Sequence, residues 1–298
     1  MSGLPTTPRD RWVEASGLRH HLDEWDGGGS TTVLLLHGYL DLGRSFTFMV
    51  EHLAARRPPL DWHIVALDWR GHGRSDRIGP GGYYHFPDYV RDLEQVAAQV
   101  RRQRLIVVAH SMGAMVASLW LGARPAAADG LLLVEGLGPM GLEPKALVDR
   151  MGTWLDQTAP FEPAEKPMRD LAHATRRLTR VHPRMAPEDV ARLARWATVE
   201  GPDGLRWRYD PLHRTRSPLP MPDAAAAAFF ARIRCPMRWV GGAESPLLGH
   251  RIDRWLGLRP GVPRVLLPGC GHMVQNDQPA RLATELADFV SVCTRPDA

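Results

Sequence analysis

Short apolar runs alternate with amphipathic stretches along most of this 298-residue chain. Runs rich in Val, Leu and Ile predict strands that are buried on both faces, and they lie at residues 32–36, 64–67, 105–108, 130–134, 237–240 and 265–267. Apolar positions three or four apart predict helices at residues 45–56, 86–101, 114–123 and 279–292. An alternating stretch at residues 11–25, centred on Ser16-Gly17, predicts a hairpin. This alternation indicates a parallel sheet with helices on both faces.

The segment at residues 137–222 breaks this alternation. It offers no convincing buried strand, is rich in proline, and has helical periodicity at residues 142–157, 167–181 and 187–199. We therefore predict a first core part at residues 1–136, a helical cap or lid at 137–222 and a second core part at 223–298. Lobes inserted where loops leave a sheet commonly cover a site, and packing helices with no role at the site are the alternative. Five cap aromatics at helical spacing are more typical of a core than of a pocket: Trp154, Phe161, Trp196, Trp207 and Tyr209.

Composition and charge narrow the class of protein. Hydrophobic residues make up 44% and charged residues 23%, as in ordinary globular domains. The net charge of +4 is small for this length, and we interpret the mild arginine cluster as a solvated helix face, so we expect no nucleic-acid partner. That cluster consists of Arg176, Arg177, Arg180 and Arg184.

Membrane-span and signal-peptide patterns and the use of cysteine indicate the cellular compartment in which we expect the protein. No apolar run reaches the ~20 residues that a membrane span needs, and the first residues lack the apolar core of a signal peptide. The three cysteines, Cys235, Cys270 and Cys293, are widely spaced and lack metal-ligand spacing. They favour a reducing compartment, so we expect a cytoplasmic protein without a bound metal. The sequence leaves the oligomeric state open.

The strand at residues 105–108 runs directly into the helix at 114–123 through Ala109-His110-Ser111-Met112-Gly113. Only a tight turn fits between them, and small residues two positions before and after its centre let strand and helix approach each other. The central side chain, Ser111, is then exposed above the carboxyl edge of the sheet. This pattern is a nucleophile elbow, Gly-x-Ser-x-Gly, with Ala109 in place of the first glycine.

Three further motifs accompany this turn: His37-Gly38, then Asp68-x-Arg70-Gly71-His72-Gly73-x-Ser75, and Gly269-Cys270-Gly271-His272 before the last helix. In this order and spacing, the four motifs together resemble the α/β-hydrolase superfamily. Residues 134–139 and 207–211 are similar to its serine-hydrolase-like branch, of the esterase or lipase type. The resemblance implies an α/β-hydrolase fold: a mostly parallel eight-stranded sheet, helices on both faces and an inserted helical cap. It also implies hydrolysis without a cofactor.

A serine hydroxyl needs a base within hydrogen-bond reach and an acid that orients the base. His272 is the best base, because it lies in a glycine-rich loop after the last strand, at the same sheet edge as Ser111. His37 and His72 belong to turn motifs, so we expect them to make structural hydrogen bonds, and His110 is held within the elbow turn.

The acid is open between two residues. In this fold it commonly follows the seventh strand, where Ser245 occupies the usual Asp position and Glu244 is one residue off. The other known placement is directly after the sixth strand, where Glu135 stands as a lone charge in a long apolar stretch. A carboxylate so close to buried strands needs a partner, and a protonated imidazole would serve. We favour Glu135, for which a salt bridge to a cap arginine is the alternative interpretation.

Backbone N–H groups of Tyr39 and Met112 are the predicted oxyanion-hole donors. We therefore expect a serine hydrolase that cleaves a carboxylic ester or related small acyl compound through an acyl-enzyme on Ser111. Epoxide hydrolases and dehalogenases carry Asp at the elbow, which argues against those activities, whereas lactones, thioesters, amides and carbon–carbon bonds stay open. The second hypothesis is a catalytically silent fold that binds a ligand or partner, and it is motivated by Ser245 at the usual acid position.

Overall fold

A computed structural model of the chain describes residues 3–138, 141, 144–159 and 166–295. The strands of its main sheet are β1 (Arg9–Ala15), β2 (Leu18–Asp26), β3 (Thr31–Leu36), β4 (His63–Leu67), β5 (Arg104–His110), β6 (Gly130–Val134), β9 (Met237–Gly242) and β10 (Arg264–Leu267). They are ordered β1-β2-β4-β3-β5-β6-β9-β10. β2 is antiparallel to β1 and β4, and the other neighbours are parallel. The predicted eight-stranded, mostly parallel sheet is therefore confirmed.

Helices cover both faces of this sheet. They are α1 (Thr47–Ala54), α2 (Phe86–Val100), α3 (Met112–Ala123), α4 (Pro144–Thr158), α5 (Leu171–Val181), α6 (Pro187–Ala197), α7 (Asp223–Ala231), α8 (His250–Gly257), α9 (Val274–Asp277) and α10 (Pro279–Cys293). Alternate residues of β3 enter two different apolar clusters. Leu34 and Leu36 pack with residues of α2 and α3, whereas Val33 and Leu35 pack with residues of α1 and α10. Burial on both faces explains why the central strands are continuous apolar runs.

The segment between β6 and α7 holds α4, α5 and α6, as predicted, and also an unpredicted hairpin. The hairpin pairs β7 (Thr198–Gly201) with β8 (Gly204–Trp207) in antiparallel register. Its strands have four residues each and are mostly half-exposed or exposed, so they lack the apolar run that marks the core strands. Helix α5 begins later than predicted, because the Asp170 side chain caps it by accepting a hydrogen bond from the His173 amide at 2.7 Å.

The carboxyl ends of β3, β5, β6, β9 and β10 all meet at one edge of the sheet, because these strands are parallel. The loops that follow them carry Tyr39, Ser111, Glu135, Ser245 and His272. This topology brings residues far apart in sequence to one place. Within the described ranges, no helix has both the length and the apolar character needed to cross a membrane.

Candidate active site

Ser111 occupies a strained turn between β5 and α3. Its backbone has φ 49° and ψ −111°, a region that side-chain-bearing residues seldom adopt and that is common at functional turns. Gly113 lies so close to β3 that an added Cβ would stand 2.6 Å from the Leu36 carbonyl oxygen. The strand and helix therefore approach as closely as the small residues of the motif predict.

The His272 imidazole lies directly over this serine. Its Nε2 is 3.0 Å from the Ser111 Oγ, and its Nδ1 is 3.1 Å from Glu135 Oε2. An ionised carboxylate only accepts hydrogen bonds, so Nδ1 carries the proton and Nε2 is free to accept from the serine hydroxyl. About 30% of the His272 side chain is exposed, whereas the Glu135 side chain is fully buried. The three side chains form one continuous chain of hydrogen bonds.

The Glu135 carboxylate is satisfied on both oxygens. Oε1 accepts a hydrogen bond of 2.8 Å from the Gly242 amide, and Oε2 accepts one of 2.5 Å from the Ser245 hydroxyl as well as the one from His272. Glu135 itself has φ 48°, and its amide donates to the Val240 carbonyl at 2.9 Å. The strained backbone turns the side chain toward the loop after β9. A buried carboxylate persists only with such partners.

The competing acid, Glu244, lies elsewhere. Its side chain is 51% exposed and pairs with Arg184 at 2.5 Å. The cap-arginine salt bridge considered for Glu135 thus belongs to Glu244 instead. Ser245, which stands at the usual acid position, supplies a donor to Glu135 rather than a carboxylate. Sequence reasoning missed this role, although the position of Ser245 in the motif was the signal that could have indicated it.

The predicted oxyanion-hole donors lie on the two loops that flank Ser111. Met112 is the first residue of α3, and the first amides of a helix have no acceptor within it. Gly38, which precedes Tyr39, is packed so tightly that an added Cβ would stand 2.7 Å from His110 Nδ1 and 3.1 Å from Ser111 Cβ. Glycine is therefore needed where this loop passes the serine. The donor roles of Tyr39 and Met112 stay predictions.

His110 holds the His272 loop against the elbow. Its Nε2–H donates to the His272 carbonyl at 2.9 Å, and its Nδ1 accepts from Gln275 at 3.3 Å. Burial, reinforced by the nearby His272, lowers the pKa of His110 to about 3. The ring is thus neutral at neutral pH, in the tautomer that these two bonds require. Its tie to the His272 loop was not anticipated from the sequence.

Two other histidines make structural hydrogen bonds, as predicted. His37 Nδ1 donates to the Gly38 carbonyl at 2.7 Å, and its Nε2 accepts from the Trp69 amide at 3.1 Å. His72 Nδ1 donates to the Arg70 carbonyl at 3.1 Å. Burial lowers the pKa of both rings, which keeps them neutral in the protein interior.

Two cavities lie at the loops that follow the parallel strands, and one of them contains Ser111 in its lining. One, the Ser111 cavity, has a volume of about 390 Å³ and is lined by Ser111, Glu135 and apolar side chains that include Trp239, Ile252 and Trp255. The other, the Tyr39 cavity, has a volume of about 300 Å³ and lies between the sheet loops and the inserted segment. Its lining includes Tyr39, Met273, Arg177, Trp207, Arg208 and Tyr209.

The cap aromatics have different surroundings. Trp207 and Tyr209 line the Tyr39 cavity, and Trp207 also belongs to a buried apolar cluster against which Tyr209 packs. Trp196 packs on Phe48 with ring centroids 5.5 Å apart, and Trp154 packs edge-on to Tyr83 at 5.6 Å. Phe161 lies outside the described residues.

One group of side chains in the described part of the chain has metal-ligand spacing: Asp10, His21 and Asp23. It belongs to the first two strands, and its carboxylates are already paired with arginines. Arg74 lies 2.6 Å from Asp10, and Arg44 lies 2.5 Å from Asp23. These two guanidinium groups already offset the negative charge of the carboxylates, as a metal ion would. The three cysteines are free and buried.

The chain belongs to the alpha/beta hydrolase family, whose model matches residues 33–285. A 3-hydroxybutyrate-oligomer hydrolase from Cupriavidus necator is 28% identical over 294 residues, covering 95% of this chain and 97% of that protein. Epoxide hydrolase A of Mycobacterium tuberculosis is 24% identical over 326 residues, covering 95% and 98%. Among solved structures, the thioesterase domain from the curacin biosynthetic pathway aligns with a TM-score of 0.84 at 29% identity, covering 94% of this chain and 99% of that one. The predicted superfamily and fold are confirmed, and these relatives are hydrolases.

Proposed function

We propose that this hydrolase cleaves carboxylic esters or related acyl compounds through an acyl-enzyme on Ser111. The observation that carries the proposal is the unbroken hydrogen-bonded chain from the Ser111 hydroxyl through His272 to Glu135, with heavy-atom distances of 3.0 and 3.1 Å. These distances are within the range that a nucleophile and its base require. A buried, fully hydrogen-bonded acid completes the arrangement.

In the first half of the reaction, Ser111 Oγ attacks the carbonyl carbon while its proton passes to His272 Nε2. The oxygen of the tetrahedral intermediate accepts hydrogen bonds from the amides of Met112 and Tyr39, and the positive end of α3 favours its charge. The intermediate then collapses. The leaving alcohol or thiol takes the proton from His272, and the acyl group stays on Ser111.

In the second half, water attacks the acyl-enzyme. His272 accepts a proton from the water, a second tetrahedral intermediate forms in the same hole, and its collapse returns the proton to Ser111 and releases the carboxylic acid. Glu135 holds the imidazole in the required tautomer and stabilises its protonated form in both halves. Every proton taken up is returned, so the reaction consumes only substrate and water.

The alternative hypothesis of a catalytically silent fold rested on Ser245 at the usual acid position. That argument is weakened, because the Ser245 hydroxyl donates a hydrogen bond to Glu135, the proposed acid from the neighbouring loop. An oligomeric ester and a thioester are the substrates that two relatives' names indicate. Both are carbonyl compounds open to attack by Ser111. Epoxide opening is disfavoured, because it is the elbow Asp of that class that forms the covalent intermediate, and here the elbow residue is Ser111.

Labelling with a fluorophosphonate probe tests the proposal. The native protein should be labelled on Ser111, whereas Ser111→Ala and heat-denatured wild-type protein should both stay unlabelled. Hydrolysis of a short-chain aryl ester should be lost in the same variant. A native protein that takes up no probe, or a Ser111→Ala variant with full esterase activity, would refute the assignment.

A further inference from the structure

The Tyr39 cavity is lined in part by the two loops that carry groups of the proposed reaction centre. Tyr39, whose amide is a proposed oxyanion donor, forms part of its wall, and so does Met273, the residue after His272. The Tyr39 side chain is about half-exposed, and its hydroxyl donates to the His213 carbonyl, which keeps the ring in place at the cavity wall. The loops that carry the proposed oxyanion donor and the proposed base therefore also form part of the wall of this cavity.

Two guanidinium groups line this cavity, from Arg177 on α5 and Arg208 just after β8. Both residues are half-buried. Neither guanidinium has an ion pair with a carboxylate in the described part of the chain. The Arg177 guanidinium lies over the Trp207 ring at 5.3 Å, which orients it without neutralising its charge.

Arg70 offers a comparison, because it is a buried guanidinium with a carboxylate partner, Asp92. Its Nε and one terminal nitrogen each lie 2.6 Å from an oxygen of Asp92, and the pKa of Arg70 is raised despite burial. Arg208 differs, because burial and the nearby Arg74 lower its pKa, against the opposing charge of Asp68. Withdrawing a guanidinium from water without a counter-ion is costly, and an anionic ligand would offset that cost.

The other titratable groups of the cavity do not neutralise the two arginines. Asp41 also lines it, but its Oδ2 accepts hydrogen bonds from Ser45 at 2.9 Å and Gln275 at 3.2 Å. Burial lowers the pKa of His182, so this ring is neutral at neutral pH. Among the described residues that line the cavity, the two guanidinium groups thus face the single carboxylate of Asp41.

The remaining walls are apolar. They include Leu178 and Val181 of α5, Leu193 of α6, and Leu40 and Leu42 after β3. Such a lining suits a short hydrocarbon chain, with a few polar groups fixing its end. Guanidinium groups bind carboxylates with directed pairs of hydrogen bonds. The cavity therefore combines apolar side chains with two guanidinium groups of the kind that bind carboxylates.

Building on the proposed function, we propose that the Tyr39 cavity binds the anionic end of the substrate, so that the preferred substrates are esters or thioesters carrying a carboxylate beyond the scissile bond. Arg177 and Arg208 are the specificity-determining residues. The Ser111 cavity, whose lining is apolar apart from the reacting groups, then takes the uncharged side of the scissile bond.

Matched ester pairs test this proposal on the wild-type protein. One pair places the carboxylate on the acyl side: the mono-p-nitrophenyl ester of adipic acid against p-nitrophenyl hexanoate. The other places it on the leaving group: 4-carboxyphenyl hexanoate against its 4-carboxamidophenyl analogue. We expect kcat/KM to favour the carboxylate by about tenfold or more in one pair, since a charge-assisted hydrogen bond is worth about that factor. The pair that shows the preference identifies the side that carries the charge.

Variants then assign the preference to the arginines. Arg177→Gln and Arg208→Gln should each reduce the carboxylate preference, mainly through KM, and the double variant should abolish it. Arg176→Gln is the matched control, because Arg176 is exposed on the same helix, and it should keep the wild-type ratio. Arg208→Lys should retain part of the preference.

The outcomes separate this proposal from the proposed function. Equal kcat/KM values within both pairs, or a preference that Arg176→Gln reduces as much as Arg177→Gln does, would overturn the anionic-end proposal while leaving the serine hydrolase intact. No turnover of any ester together with no fluorophosphonate labelling would instead overturn the proposed function. The wild-type comparison needs no variant to fold.

Discussion

The loops after β6 and β9 each carry a glutamate, but the two side chains have opposite surroundings. The β6 loop places Glu135 with its side chain fully buried, 3.1 Å from the imidazole. The β9 loop leaves Glu244 half-exposed, in a surface pair with Arg184. This part of the chain nevertheless reaches the site, because the Gly242 amide at the end of β9 and the Ser245 hydroxyl in the loop after it both donate to Glu135.

This contrast teaches that the backbone, rather than the residue type, decides which carboxylate meets the histidine. The positive φ of 48° at Glu135 turns its side chain toward the β9 loop directly after the strand ends. One loop supplies the charge and the other supplies the donors. Two carboxylates at this point would repel each other and raise a pKa, so a hydroxyl at position 245 fits the arrangement.

The largest effect should follow from changing the buried glutamate. Glu135→Gln keeps the size of the side chain but removes the charge that stabilises protonated His272, and its amide can select the wrong tautomer. We expect kcat to fall by about 10³- to 10⁴-fold, as when the acid of another triad is replaced by its amide. Steady-state kinetics with an aryl ester measures it, and a loss below tenfold would remove Glu135 from the catalytic role.

The second effect tests the donor from the β9 loop. Ser245→Ala removes a hydrogen bond to a buried carboxylate, a bond worth about 1.5–3 kcal/mol, which corresponds to about a 10- to 100-fold loss in kcat. KM should stay within about threefold, because Ser245 does not contact substrate in this scheme. An unchanged kcat would show that the Ser245 hydroxyl does not contribute to catalysis.

The third effect concerns His110, which ties the His272 loop to the elbow. Because its pKa in the folded protein is about 3 and lies near 6.5 when unfolded, the unfolded state binds more protons between these values. Stability must therefore fall as pH drops below about 6.5. Linkage gives a loss of about 2 kcal/mol between pH 7 and pH 5 from this one group.

His110→Gln isolates that contribution, because glutamine does not titrate while other buried histidines titrate in both proteins. The difference in unfolding free energy between wild type and variant should shrink by about 2 kcal/mol from pH 7 to pH 5. Urea denaturation at the two pH values provides the measurement. If the difference in unfolding free energy between wild type and His110→Gln stays constant with pH, His110 is not buried as a neutral ring.

The smallest effect should come from the exposed glutamate. Glu244→Gln breaks only a solvent-exposed ion pair with Arg184, and such pairs contribute little. We expect kcat and kcat/KM within about twofold of wild type, measured beside Glu135→Gln under identical conditions. A loss comparable to that of Glu135→Gln would erase the distinction between the two loops.

The sequence predicted the central strands well, because burial on both faces leaves an unbroken apolar signature. It missed α7 (Asp223–Ala231), whose run of alanines has no polar and apolar alternation, and the hairpin of β7 and β8, whose short strands are only partly buried. Local signals of this kind are weak wherever packing against the rest of the chain decides the structure.

The residues of the candidate site also differ in whether a local sequence pattern indicates them. Motif spacing indicated Ser111 and His272 as candidate residues, because small residues beside each of them mark the tight turn or loop that it occupies. The choice between Glu135 and Glu244 depended on one backbone angle and on donors more than 100 residues away, which no local pattern contains. The arginine cluster predicts a solvated helix face that includes Arg177, but this residue is half-buried against a cavity.

The covalent intermediate is the most direct test of the central claim. Wild-type protein mixed with a p-nitrophenyl ester, quenched within the first turnover and digested, should show the acyl group on the peptide that contains Ser111, by mass spectrometry. Glu135→Gln should accumulate the adduct more slowly, and Ser111→Ala should show none. An acyl group found on another residue, or hydrolysis without any adduct and undiminished in Ser111→Ala, would contradict the account.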